Sequence, residues 1–131
     1  MYLLDTNIWL EVLLDQERST EASRFLSTTA ADSLHITDFA LHSIGVILTR
    51  LKRLATLRDF LSDIGGANPV QVVRLDLQQV GLLPAIAHKF RLDFDDAYQY
   101  AAASSRNLQL VSFDTDFDRT DLTRKTPSEV L

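Results

Sequence analysis

The sequence predicts an α/β domain built on a mostly parallel sheet. Four short apolar runs alternate with segments whose apolar residues recur at helical spacing, which is typical of strand–helix–strand units. The length of 131 residues suits one domain, so we expect residues 1–131 to form a single unit. Hydrophobic residues make up 46% of the chain, which is enough for a packed core without a disulfide.

The first two strands are predicted at Tyr2–Leu4 and Leu34–Thr37, which are short apolar runs. Between them, either Thr6 or Asn7 can cap a first helix. A second helix is predicted over Glu17–Ser27, where apolar residues share one face.

The middle of the chain predicts two helices and a third strand. Asp38 is a candidate N-cap for a long helix that runs to about Leu51. The next helix covers Ala55–Ile64 and ends at a glycine pair. The β-branched run Val70–Leu75 predicts the third strand.

The last third of the chain predicts further helices and the fourth strand. Helical pattern resumes at Asp76, and Pro84 must break, kink or restart it. We expect Asp95 to open the next helix, and the run Leu108–Phe113 to form the fourth strand. The polar segment from Asp121 onward carries no pattern that assigns it to an element.

The composition excludes several classes of site. The absence of cysteine excludes a disulfide scaffold, a thiolate zinc site and a cysteine nucleophile, and it fits the reducing cytoplasm. The net charge of −5 disfavours a protein that holds nucleic acid by a basic groove alone. We expect no association with a membrane, because no apolar run approaches the roughly 18 residues of a span and no basic region precedes the N-terminal apolar stretch.

Aspartates follow the predicted strands. Asp5 ends the first strand, Asp38 follows the second and Asp114 ends the fourth, while Asp95 and Asp96 begin a helix. Because the carboxyl ends of parallel strands meet at one edge of a sheet, we expect acids from both ends of the chain to gather there. Crowded carboxylates raise one another's pKa, and a divalent cation removes that cost. Oxygen ligands favour Mg²⁺ or Mn²⁺ over zinc, and such ions promote hydrolysis of phosphate esters.

Several of these residues also have structural interpretations. Asp5, Asp38 and Asp95 can each be helix caps, and Asp116 can be a turn residue. His42, one turn after Asp38, faces either the acidic edge or a packing partner.

Three further patterns in the sequence suggest other functions, and two of them lack residues that those functions need. Residues 114–118 mimic the start of an EF-hand loop, but Arg119 and Lys125 stand where that loop needs Gly and Glu. A phosphatase of the haloacid-dehalogenase type needs Asp where Asn7 stands, so a small phosphatase is the weakest alternative. The basic residues Arg50, Lys52 and Arg53 form either a solvated helix end or a contact with a phosphate backbone.

Three segments resemble motifs of the PIN-domain nuclease family, which includes VapC-like toxin ribonucleases. Leu3–Asn7 resembles the opening strand of the family. Asp95–Ala103 is similar to the helix that bears the third acid, with Asp96 at the acid position, and Leu110–Phe117 resembles the closing strand and loop. The resemblance covers essentially the whole chain, and the spacing of the three blocks fits.

This resemblance implies a three-layer α/β/α sandwich and cleavage of single-stranded RNA that depends on Mg²⁺ or Mn²⁺. It carries over Asp5, Asp96 and Asp114 as catalytic metal ligands, Asp116 as an additional metal ligand, Asn7 as an orienting residue and Ser112 as the hydroxyl residue before the last acid. Many small bacterial and archaeal members are toxins that form homodimers and are inhibited by a small antitoxin. RNA, an antitoxin and a second copy are therefore the expected partners, and the helix pair around Ile47–Leu61 is either a dimer interface or core.

One position departs from the family pattern. The family usually places Glu six residues after a Ser or Thr, and counting from Thr37 that position is Ser43. Serine supplies no carboxylate, so either the metal binds more weakly or Asp38 or His42 compensates. The alternative function is a PIN-fold module that binds RNA or protein and regulates it, with weak or no catalysis.

Overall fold

Four parallel strands form the central sheet of the computed structural model, which describes residues 1–130. They are β1 (Tyr2–Leu4), β2 (Leu34–Thr37), β3 (Gln71–Val73) and β4 (Gln109–Val111). Their order across the sheet is β3–β2–β1–β4, so β1 pairs on both sides. In this register, Leu3 of β1 stands opposite His35 of β2 and Leu110 of β4. The predicted parallel sheet is confirmed.

Helices cover both faces of the sheet. Within residues 1–130 they are α1 (Thr6–Leu13), α2 (Ser19–Thr28), α3 (Asp38–Arg50), α4 (Leu54–Ile64), α5 (Leu77–Val80), α6 (Leu83–Phe90) and α7 (Phe94–Arg106). Because successive strand residues point to opposite faces, Leu3 and Leu4 belong to two separate cores. Leu4 shares its core with Ile44 of α3, and Leu3 shares its core with Ala97 of α7. The fold is the three-layer α/β/α sandwich that the family resemblance implies.

The caps of α3 and α7 differ from the prediction. Thr37, not Asp38, caps α3, because its backbone is extended and its Oγ1 accepts a hydrogen bond from the amide three residues later at 2.9 Å. Asp93, not Asp95, caps α7, and its Oδ1 accepts from the amide of Asp96 at 2.9 Å. In each case two polar residues lie close together at the start of the helix, and the one with an extended backbone caps it.

Some element boundaries also differ. The strands β3 and β4 are shorter than the apolar runs Val70–Leu75 and Leu108–Phe113, and α2 starts two residues later than predicted. Directly after β4, the amide of Ser112 donates to the carbonyl oxygen of Lys125 at 3.0 Å. Pro84 lies in the first turn of α6, so of the three alternatives the helix restarts there.

The polar C-terminal segment includes a 3-10 turn at Pro127–Glu129. It is tied to α2, because the amide of Ser128 donates to Oε1 of Glu21 at 3.0 Å. Leu131 lies outside the described residues. Across residues 1–130, none of the helices combines the length and the apolar character that crossing a membrane requires.

Candidate metal centre

An acidic cleft of about 410 Å³ opens where β1 and β4 end. Asp5 and Asn7 reach it from the end of β1, Asp96 from the start of α7, and Asp114 from the loop after β4. The structure thus brings together acids that lie near opposite ends of the chain. Because the strands are parallel and β1 is next to β4, their carboxyl ends lie side by side.

Asp5 caps α1 and is held by three hydrogen bonds. Its Oδ1 accepts from the amide of Thr6 at 2.8 Å and from Nε2 of Gln99 at 3.2 Å. Its Oδ2 accepts from Oγ of Ser112 at 2.7 Å. The prediction that Thr6 or Asn7 caps this helix is wrong, because both already belong to α1. Burial raises the pKa of Asp5, whose surface is only 6% exposed.

Ser112 connects the two ends of the cleft. Its hydroxyl donates to Asp5, accepts from the amide of Asp114 at 2.9 Å and accepts from Nδ2 of Asn7 at 3.3 Å. Asn7 Oδ1 in turn accepts from the amide of Phe113 at 3.3 Å. Ser112 and Asn7 therefore hold the loop after β4 against Asp5, which is the arrangement expected of positioning residues.

Asp96 lies in the first turn of α7 and is 8% exposed. Burial raises the pKa of Asp96 to about 8, and the carboxylates of Asp114, Asp93 and Asp5 contribute to the shift. A buried carboxylate among like charges is destabilised in its ionised form. A cation bound between these groups would remove that repulsion.

A three-carboxylate group lies beside Asp5. Asp96, Asp114 and Asp116 each offer one carboxylate oxygen, and these three oxygens lie within 4.8 Å of one another. Asp114 Oδ1 accepts from the amide of Asp116 at 2.8 Å, and Arg119 Nη1 donates to Asp116 Oδ1 at 3.1 Å. A donor set made only of oxygen fits Mg²⁺ or Mn²⁺, so the residues present suit the predicted ion.

The remaining predicted site residues fall into two groups. His42 and Ser43 of α3 line the cleft, as the family position of Ser43 implies. Asp38 is not among the cleft residues, because its Oδ1 accepts from the hydroxyl of Tyr98 at 2.7 Å and from the amide of Phe39 at 2.9 Å. Of the two residues that could compensate for the missing glutamate, His42 lines the cleft and Asp38 does not.

Three residues that surround the acids of the cleft were not predicted from the sequence. Gln99 orients Asp5, Asp93 caps α7 and raises the pKa of Asp96, and Arg119 pairs with Asp116. Asp93 and Gln99 lie three residues before and after Asp96, so helical spacing places all three near one face of α7. That spacing was the available signal.

Solved structures of other proteins share this fold, among them the following three. A toxin–antitoxin complex from Klebsiella pneumoniae matches with 21% identity and a TM-score of 0.74, over 97% of this chain and 98% of that chain. FitAcB from Neisseria gonorrhoeae matches with 17% identity and a TM-score of 0.78, over 98% of this chain and 99% of that chain. The sarcin–ricin-loop-cleaving toxin VapC20 from Mycobacterium tuberculosis matches with 16% identity and a TM-score of 0.77, over 94% of this chain and 97% of that chain.

Comparison of the amino-acid sequence with protein-family profiles identifies the family of this chain. No curated protein sequence matches this chain significantly. The profile of the PIN domain, in contrast, matches residues 2–122, a stretch that includes the acids of the cleft and the strands and helices that carry them. This chain therefore belongs to the PIN domain family.

Proposed function

We propose that this protein is an endoribonuclease that requires Mg²⁺ or Mn²⁺, cleaves single-stranded RNA and acts as the toxin of a toxin–antitoxin pair. The observation that carries this function is the gathering of Asp5, Asp96 and Asp114 in one cleft. Membership of the PIN domain family, whose members are typically nucleases, supports it. A protein that acts on cellular RNA would work in the cytoplasm.

Asp96, Asp114 and Asp116, with Asp5 beside them, are the residues that would hold the ion. A divalent ion held there would supply a lowered pKa for a water molecule and stabilisation of the negative charge on the phosphodiester in the transition state. Three of about four acceptor sites on the Asp5 carboxylate are occupied by Thr6, Gln99 and Ser112, so its orientation is restricted and one site stays free.

The protein's own groups keep the acids in place before substrate arrives. Asp93 caps α7 and thereby positions the first turn, from which Asp96 faces the cleft. Ser112 fixes the backbone at Asp114, and Arg119 restrains Asp116. Fixed charges of this kind contribute to catalysis because they need not reorganise during the reaction.

We also propose two protein partners. The structures from Klebsiella pneumoniae and Neisseria gonorrhoeae support an antitoxin, since the first is a toxin–antitoxin complex and both share this fold. A homodimer through the outer surface of α4 is supported by the exposed residues Leu54 and Leu61, which are seven residues apart and so share one face of α4. Apolar side chains exposed together on one surface favour contact with another protein.

The decisive experiment is cleavage of a labelled single-stranded RNA by the full chain. We expect cleavage with millimolar Mn²⁺ and none with EDTA. Mn²⁺ should also raise the melting temperature by several degrees, since an ion at one hundred times its Kd contributes about 2.7 kcal/mol to the folded state. The same RNA in a duplex is the control substrate. Cleavage of the single strand that persists in EDTA would contradict the metal-dependent function.

A second candidate function is supported by Ser43, which lines the cleft where the family usually has glutamate. In that case the chain is a PIN-fold module that binds RNA or protein without useful catalysis. Ser43→Glu adds a carboxylate to the cleft, and we expect it to lower the Mn²⁺ concentration at half-maximal thermal stabilisation at least fivefold. Ser43→Gln, of the same size without the charge, is the control. A wild-type chain that cleaves nothing, together with a cleaving Ser43→Glu variant, would favour the second function.

A further inference from the structure

A second groove continues from the acidic cleft along α3. It has a volume of about 430 Å³ and is lined by His42, Gly45, Val46, Thr49, Arg50 and Leu57. The first five residues have the spacing i, i+3, i+4, i+7 and i+8, so they form one face of α3. His42 and Val46 also line the acidic cleft. The cleft and the groove are therefore one continuous depression about 12 Å long along the axis of α3.

The charge along this depression changes sign. The cleft is lined by five aspartates, whereas none of the six described residues that line the groove is acidic. Arg50, exposed at the last position of α3, gives the far end of the groove a positive charge. A polyanion with one bound phosphate in the cleft would have its neighbouring phosphates repelled by the aspartates and attracted by Arg50.

Gly45 lies midway along the residues of α3 that line the groove, and the fold does not explain it. Glycine is a poor helix former, yet Gly45 stands within α3 and its φ is not positive. A Cβ added at this position would meet no atom within 4 Å, so packing does not require glycine either. A residue without a side chain here leaves room for a ligand to approach the helix closely.

We propose that this groove is the path of the RNA strand next to the scissile phosphate, with Arg50 binding a phosphate and Gly45 leaving space for the strand. The identity of the polymer rests on the proposed function. The groove itself is assigned from its continuity with the cleft, its charge and the unexplained glycine.

The test measures the binding of a fluorescent single-stranded RNA 12-mer by anisotropy in an Asp96→Asn background, in which the proposed function predicts almost no cleavage. The Gly45→Glu protein should bind the RNA at least fivefold more weakly than the Gly45→Gln protein, whose new side chain has the same size without the charge. Both substitutions improve helix propensity, so both proteins should fold. Arg50→Glu should weaken binding at least fivefold and reduce the slope of log affinity against log salt by about 1.

Arg106→Glu is the matched control for Arg50→Glu, because Arg106 also ends a helix of 13 residues and is exposed. It should bind RNA as tightly as the Asp96→Asn parent. Equal affinities for the Gly45→Glu and Gly45→Gln proteins, or no RNA binding by the parent, would overturn the inference. A change in oligomeric state by light scattering without a change in RNA affinity would identify the groove as a protein interface and overturn it too. RNA binding that depends on the groove, without any cleavage by the wild type, would uphold the groove and refute the nuclease function.

Discussion

Replacement of Asp96 by asparagine is expected to lower RNA cleavage by roughly three orders of magnitude. Asparagine keeps the size of the side chain but removes the charge of a carboxylate that faces both Asp114 and Asp116. The same change should abolish the stabilisation by Mn²⁺. Initial cleavage rates and thermal unfolding with and without Mn²⁺ measure the two effects.

The same variant should be more stable than the wild type when no divalent ion is present. Burial and neighbouring acids raise the pKa of Asp96 to about 8 in the folded chain, whereas the value in the unfolded chain is near 3.8. The stability that the protonated form contributes is complete below pH 3.8 and is lost as the pH rises through about 8. In EDTA we therefore expect Asp96→Asn to exceed the wild type by about 1–3 kcal/mol at pH 8, with a smaller difference at pH 5.

Asp63→Asn is the matched control, because Asp63 is exposed on α4 and lies outside the acidic cleft. It should change neither the cleavage rate nor the response to Mn²⁺. If Asp96→Asn behaves like Asp63→Asn in both measurements, Asp96 does not hold a metal ion. Cleavage that survives equally in both preparations would indicate a contaminating ribonuclease.

Replacement of Ser112 by alanine is expected to have the second-largest effect. The fully buried hydroxyl joins Asp5, Asp114 and Asn7, so its removal leaves buried polar groups without their partner. We expect a loss of about 2 kcal/mol in the free energy of unfolding. Cleavage should fall roughly ten- to a hundredfold, as is usual when a residue that orients metal ligands is removed.

Urea unfolding and initial cleavage rates at saturating Mn²⁺ separate these two effects of Ser112→Ala. Ser105→Ala is the control, because Ser105 is exposed and its hydroxyl donates only to the carbonyl oxygen of Ala102 at 3.3 Å. A Ser112→Ala protein as stable and active as Ser105→Ala would show that the hydroxyl does not position the acids.

Much of the fold could be predicted from local pattern. The strand Leu34–Thr37 was predicted with its observed bounds, and Pro84 marked the start of α6. Caps were less predictable, because Thr37 and Asp38 are both good capping residues and the backbone angle that decides between them is not a property of composition. The ends of β4 were also missed, since the strand covers three residues of the apolar run Leu108–Phe113.

The candidate site was predicted where it depends on topology. Asp5 and Asp114 follow strands, and parallel strands that are neighbours place their ends together whatever the loops do. Asp38 also follows a strand, but it does not line the cleft, and its carboxylate accepts a hydrogen bond from Tyr98 of α7 instead. Side-chain partners of this kind depend on how helices pack, which strand order does not determine.

The sequence by itself determined the alternation of strands and helices, the parallel sheet and the acids at its edge, because hydrophobic periodicity and chain connectivity are local properties. Only the tertiary structure decided that Asp96, Asp114 and Asp116 come close enough to share an ion, that Gln99 and Ser112 orient Asp5, and that a groove leads from the cleft to Arg50. Those features depend on distances of a few ångströms between elements far apart in the chain. Such distances are set by the packing of α3 and α7 on the sheet.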